Sequence, residues 1–131
     1  MRLMLDTNAY TGYLRSEPAV TDRVDSAARI FLPAAVVGEL IYGFRHGTRY
    51  RKNLDQLERF LAKPLVTFVP VTFETCSRFG AVAAELRRAR TPIPVNDVWV
   101  AAHALQTGAS LLTYDAHFER VAGLSMVHLG G

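Results

Sequence analysis

The chain has a single cysteine, Cys76, so no disulfide can form within it, and a reducing compartment is the expected setting. Cys76 itself reads as a small buried apolar residue, since no base is evident beside it. Lysine is scarce: of fifteen basic residues, Lys52 and Lys63 are the only lysines, which excludes chemistry that needs a lysine late in the chain. No apolar run reaches the ~20 residues of a membrane span, and the short N-terminal apolar stretch is cut by Asp6, which does not fit a secretory leader. There is no low-complexity run, linker or internal repeat. A cytoplasmic protein without membrane association is expected.

The 131 residues suit one domain, 1–131, able to bury roughly two-thirds of its unfolded surface. Hydrophobic residues make up 50% and charged residues 21%, an ordinary globular balance. The net charge of +3 is mildly basic and by itself points weakly to nucleic acid.

Short apolar strands are predicted at Leu3–Leu5, Arg29–Leu32, Leu65–Val69, Ser110–Thr113 and Met126–Leu129. Between them lie helices over Ala9–Arg15 (capped by Thr7 or Asn8), Pro18–Ala27, from Pro33 to a stop at Gly47, Arg49–Ala62, and a helix capped by Thr72. That last helix should place Phe73, Cys76, Phe79, Ala83 and Leu86 on one side, and Thr75, where a glutamate would close a capping box, leaves the box incomplete. A helix from Asn96 to Gly108 is apolar almost all round, which predicts burial, and a short helix spans Ala116–Val121. Alternating strands and helices predict an α/β fold: a three-layer α/β/α domain around a central, mainly parallel sheet of about five short strands.

In such a sheet, strand C-termini and helix N-termini share one edge, where ligands bind. Four carboxylates should reach it: Asp6 after the first strand, Glu39 in the second turn of the third helix, Asp97 opening the apolar helix, and Asp115 after the fourth strand. Each has a plainer reading alone, as a solvated surface glutamate, a helix-capping aspartate or a turn residue. Their coincidence on one edge favours a site. Clustered carboxylates repel one another, and a divalent cation relieves this; oxygen ligands without paired Cys or His favour Mg²⁺ or Mn²⁺. His46, His103, His117 and His128 form no zinc pattern and read as surface or packing residues.

The segments carrying these acids are Leu5-Asp-Thr-Asn8, Glu39-Leu-Ile-Tyr-Gly43, Thr91-Pro-Ile-Pro-Val-Asn-Asp97-Val-Trp-Val-Ala-Ala-His-Ala104 and Leu112-Thr-Tyr-Asp115-Ala-His-Phe118. Together and in this order the chain resembles PIN-domain ribonucleases, in particular the VapC-type toxins of toxin–antitoxin pairs. The resemblance implies RNA hydrolysis dependent on one or two Mg²⁺ or Mn²⁺ ions, with Asp6, Glu39, Asp97 and Asp115 as the catalytic and metal-binding acids. Water would attack the phosphorus in line and the 3′ oxygen would leave. Thr7, Asn8 and Thr113 would support the site by orienting carboxylates, water or a phosphate oxygen. A homodimer neutralised by a cognate antitoxin is also implied.

Arg45, Arg49, Arg51 and Lys52 form a basic run that would line the RNA path; Arg87, Arg88 and Arg90 form a second. Either reads more plainly as a solvated helix face. The alternatives are a PIN nuclease of RNA processing or a non-catalytic RNA- or protein-interaction domain. A receiver-like phosphorylation domain is disfavoured by the missing late lysine, and a haloacid-dehalogenase-type phosphatase by Asn8, where a second aspartate is needed.

Overall fold

The computed structural model describes residues 1–130. Five strands form one sheet in the order β3-β2-β1-β4-β5, every neighbouring pair parallel: β1 Arg2–Leu5, β2 Arg29–Pro33, β3 Val66–Val69, β4 Ser110–Thr113 and β5 Met126–His128. Parallel strands need helical crossovers, which cover the sheet faces and bury the strands. The crossovers are α1 Thr7–Leu14, α2 Pro18–Ser26, α3 Ala34–His46, α4 Tyr50–Leu61, α5 Phe73–Ala89 and α6 Val95–Thr107, giving three α/β/α layers.

The core follows from the apolar strands. Leu3, Met4 and Leu5 of β1 and Leu111 and Leu112 of β4 are buried, with the register Leu3↔Ser110, Met4↔Leu111 and Leu5↔Leu112. Five buried apolar side chains belong to α6, Val98, Val100, Ala101, Ala102 and Ala104, as its all-round apolar pattern predicts. Gly108, at φ +70°, supplies the left-handed cap that ends α6 and turns the chain into β4. Gly12 serves a different purpose. A Cβ there would lie 3.0 Å from Glu17 Oε2 and 3.4 Å from the Tyr114 hydroxyl, so its hydrogen atom makes room for the bond that Tyr114 donates to Glu17.

Chain growth reverses at β1. The first three strands extend the sheet to one side, and β4 then returns to pair with the other edge of β1. The C-terminal ends of β1 and β4 therefore flank the switch point, where a parallel sheet leaves a crevice.

Several local expectations fail for identifiable reasons. Asp6, not Thr7 or Asn8, caps α1, because its carboxylate reaches the Ala9 N–H at 2.9 Å and the helix begins one residue after it. The capping box of α5 does close: the Thr75 hydroxyl accepts from the Thr72 N–H at 2.9 Å, a role a threonine fills as well as a glutamate. Thr75 also donates to Gln106 at 2.6 Å and is fully buried, so the inner face of α5 runs Thr75, Val82, Leu86. That rotation turns Phe73 and Cys76 outward: Phe73 is 89% exposed, and Cys76 is an exposed free thiol and not a core residue. The short helix after β4 is a 3-10 turn, Ala116–Arg120.

His103 is the one histidine fully inside, and both its ring nitrogens lack hydrogen-bond partners among the described residues. Burial lowers its pKa below the ordinary 6.5, opposed by the nearby Gln106 amide. The folded ring thus refuses a proton that the unfolded chain accepts. Stability is full above pH 6.5 and declines as pH falls below it. In thermal melts from pH 7.5 to 5, His103→Leu should remove that part of the decline, at most about 2 kcal/mol at pH 5. An unchanged difference between the two proteins across this range would show that the ring protonates freely in the fold.

Candidate active site

The site is built from four separate elements that meet at the switch point. Asp6 lies at the junction of β1 and α1, with its backbone N–H donating to the Leu112 carbonyl of β4 at 3.4 Å. Its side chain is 7% exposed. One carboxylate oxygen accepts from the Ala9 N–H and the other from the buried Thr113 hydroxyl at the end of β4. Thr113 is itself fixed, since its Oγ1 accepts from the Asp115 N–H at 2.9 Å. One threonine thus couples two of the acids.

Glu39 comes from the middle of α3. It faces outward from the buried Val36 and Leu40, as helical spacing requires of a residue outside the apolar sector. Its Oε1 accepts from the Thr7 hydroxyl and its Oε2 from Asn96 Nδ2 at 3.2 Å. Asp97 stands in the first turn of α6, where the helix dipole favours an anion. Asp115 follows β4 and caps the 3-10 turn, accepting from the His117 N–H at 3.1 Å.

All four acids line one cleft of about 330 Å³ together with Thr7, Asn8, Val100 and Phe118. The sequence-predicted acids and the supporting Thr7 and Asn8 are therefore brought together, with Thr113 directly behind Asp6. Arg45, Arg49, Arg51 and Lys52 do not line this cleft. They lie where α3 passes into α4, and the Arg45 guanidinium packs 4.0 Å from the centre of the Tyr50 ring. Along α3, position 45 is about 9 Å from Glu39 at 1.5 Å per residue.

Sequence reasoning misses two participants. Asn96 is legible only as a helix start, yet it holds Glu39. His117 reads as a packing or surface residue, but its ring lies between two acids: Nε2 is 2.9 Å from Asp97 Oδ2 and Nδ1 is 2.9 Å from Asp115 Oδ1. Nε2 is buried and its approach to Asp97 lacks hydrogen-bond alignment. The available signal is its position two residues beyond Asp115 on a tight turn.

The electrostatics are those of an anionic pocket. Burial raises the pKa of Asp6; the bonds from Thr113 and Ala9 offset part of this, and the charges of Asp97 and Asp115 add to it. Burial likewise raises Asp97, opposed by His117 and reinforced by Glu39 and Asp115. Asp97, Asp115 and His117 each offer a ligand atom, all within 4.8 Å of one another. Oxygen donors under mutual repulsion, beside a buried nitrogen with no hydrogen-bond partner, fit a divalent cation. With a cation bound, this arrangement can bind a phosphate group that the acids alone would repel.

Comparison with known proteins agrees with this geometry. The family model described as PIN domain matches residues 3–124. The chain is 29% identical over 129 residues to the protein named Ribonuclease VapC1 of Haemophilus influenzae (strain R2866), covering 95% of both. It is 28% identical over 127 residues to the tRNA(fMet)-specific endonuclease VapC of Shigella flexneri, again covering 95% of each. The solved structure of VapBC-1 from nontypeable Haemophilus influenzae superposes with a TM-score of 0.86 over 98% of both chains, at 25% identity.

Because the folded carboxyl of Asp6 holds its proton more tightly than the unfolded one, it costs stability once pH rises above about 3.8 and through the folded value. Asp6→Asn keeps an acceptor for Ala9 and removes the charge. Without metal, it should raise stability at pH 7.5 by about 1 kcal/mol, a gain that vanishes near pH 4. A loss of stability at pH 7.5 in chemical denaturation would contradict this.

Proposed function

The chain belongs to the PIN domain family, and from that premise we propose that it is a metal-dependent endoribonuclease, hydrolysing RNA phosphodiester bonds as the toxin of a toxin–antitoxin pair. The observation that carries the reading is the convergence of Asp6, Glu39, Asp97 and Asp115 on one cleft at the switch point of the sheet. The names of the related ribonucleases, which the chain matches along nearly its whole length, support the same substrate class. One PIN domain, 1–131, working in the cytoplasm as a homodimer and held inactive by a cognate antitoxin, completes the reading. No helix among the described residues is long and apolar enough to cross a membrane.

The cofactor of this reading is Mg²⁺ or Mn²⁺, one or two ions, held by Asp6, Asp97, Asp115 and Glu39. Such an ion, when bound, supplies Lewis acidity to the phosphate and lowers the pKa of a water. The chain's own residues hold the acids in place for it. Asp6 is clamped by Ala9 and Thr113, so its carboxylate needs no reorganisation to meet a ligand. Thr7 and Asn96 occupy one oxygen each of Glu39 and fix its direction. Val100 and Phe118 form the apolar part of the cleft lining and restrict water around the reacting phosphate. In the overall reaction a water oxygen bonds to phosphorus, the P–O3′ bond breaks, and the water's protons are shared between a site base and the departing 3′ oxygen.

The full chain incubated with mixed cellular RNA should cut it when Mg²⁺ or Mn²⁺ is present and not with excess chelator. Asp97→Asn should lower the cleavage rate by about a hundredfold or more while leaving the circular dichroism spectrum unchanged. Wild-type cleavage by that variant, or by wild type in chelator, would remove the metal-dependent reading.

The basic run at the α3–α4 junction supplies the RNA path in this proposal. Reversing Arg45, Arg49, Arg51 and Lys52 to glutamate should weaken RNA binding and flatten its dependence on salt. The slope should fall by about 0.7 for each single-strand phosphate that the protein no longer neutralises. An unchanged slope in binding isotherms at several salt concentrations would place the RNA elsewhere.

A further inference from the structure

β4 ends at Thr113 and the 3-10 turn begins at Ala116, so Tyr114 and Asp115 form a link that belongs to neither element. The cleft depends on both ends of this link. Thr113 holds Asp6, and Asp115 lines the cleft itself. Asp115 is extended, at φ −99° and ψ 115°, and along an extended chain successive side chains point to opposite sides. Thr113 and Asp115 serve the cleft, and Tyr114 between them leaves the other way. Its hydroxyl donates to Glu17 Oε2 in the turn between α1 and α2, 97 positions away.

That turn is built against local preference. Ser16, not a glycine, takes the left-handed conformation at φ 56°. Glu17 stands at the N-cap of α2, yet its side chain makes no capping bond, where a serine or aspartate would. Gly12 lies inside α1, and a Cβ there would press on Glu17 Oε2 at 3.0 Å. Each departure is unfavourable taken alone. They share one result: a carboxylate lodged between α1 and Tyr114. Among the described residues, Tyr114 is the only side chain hydrogen-bonded to it.

We infer that the Tyr114–Glu17 bond is a tether that fixes Thr113 and Asp115 in the cleft, so that Tyr114 and Glu17 are positioning residues for the proposed hydrolysis. The inference rests on the nuclease reading given above. A hydrogen bond to an ionised acceptor is roughly twice as strong as a neutral one, and both partners here are half-buried. The far end of α1 explains the choice of anchor. There Asp6 caps the helix and Thr7 holds Glu39. Tethering the 113–115 link to α1 therefore joins Asp115 to the helix that already orders two other acids. A carboxylate held in this way need not be ordered again when the phosphate reacts.

The test uses the full chain, with amide hydrogen exchange read by NMR and cleavage of one defined RNA in Mg²⁺. The Asp115 amide bonds to Thr113 Oγ1 and the His117 amide to Asp115 Oδ1, so both report on the link. In Tyr114→Phe their protection should fall about tenfold, while Leu5 and Leu112 in the central strands stay within about twofold of wild type. The kcat should fall at least about fivefold with KM within about twofold. Glu17→Ala should reproduce both effects, and the double variant should add little to either change alone. Glu17→Gln, whose amide oxygen still accepts from the hydroxyl, should recover most of the loss. The Glu17 variants alter a half-exposed side chain and keep the question answerable if Tyr114→Phe does not fold. Unchanged protection at Asp115 and His117 overturns the tether. So does a loss shared equally by the strand amides, the mark of a bond that only stabilises the fold. Lost protection with unchanged kcat overturns the positioning role. A wild type that cuts no RNA overturns the nuclease reading and that role with it, and the exchange data then judge the tether by themselves.

Discussion

A carboxylate buried at the end of an interior strand is the constraint from which the site follows. Asp6 cannot stay charged there without donors, and the fold provides two from opposite directions in sequence: the Ala9 N–H three residues on, and the Thr113 hydroxyl from β4. The first makes Asp6 the cap of α1, so the start of that helix depends on it. The second ties β1 to β4, and through the Asp115 N–H on Thr113 it sets the next acid as well. Capping, strand pairing and acid placement are one connected set of hydrogen bonds.

The remaining acids are held more loosely and on longer tethers. Glu39 depends on Thr7 and Asn96, which belong to α1 and α6, so its place reports how three helices pack. Asp97 has no hydrogen-bond donor comparable to Thr113; the His117 ring, lying close without alignment, is its nearest counter-group. The acids therefore range from a fixed inner carboxylate to more accessible outer ones. Such a gradient suits a pocket that must admit a cation and a phosphate from solvent without reorganising its base.

Much of this is legible in the chain itself. Strand positions and the parallel topology follow from short apolar runs alternating with helical periodicity, and topology alone carries Asp6, Glu39, Asp97 and Asp115 to one edge. What cannot be read are choices between nearly equivalent local options. Asp6 against Thr7 as the cap of α1, and Thr75 against a glutamate in the capping box of α5, differ by one hydrogen bond. In the second case Thr75 is buried, bonded to Thr72 and to Gln106 of α6, while Cys76 and Phe73 are exposed. Asn96 lies beyond reach for another reason: its partner, Glu39, is 57 positions away, and no periodicity encodes such a pairing. His117 offers only its position two residues beyond Asp115, while its other acid, Asp97, is 20 positions away. The PIN resemblance compensates for the acids, and although one of its segments includes His117, it assigns that residue no role.

The return of β4 to the vacant edge of β1 has a further consequence for a chain made from its N-terminus onward. Until residues 110–118 have been synthesised, β1 has one unpaired edge, Asp6 has no Thr113 to lean on, and Asp115 and His117 do not yet exist. A ribosome that stalls before that point releases a product with no assembled cleft. In this topology the cleft is among the last features the nascent chain completes, since Thr113, Asp115 and His117 all lie beyond residue 110.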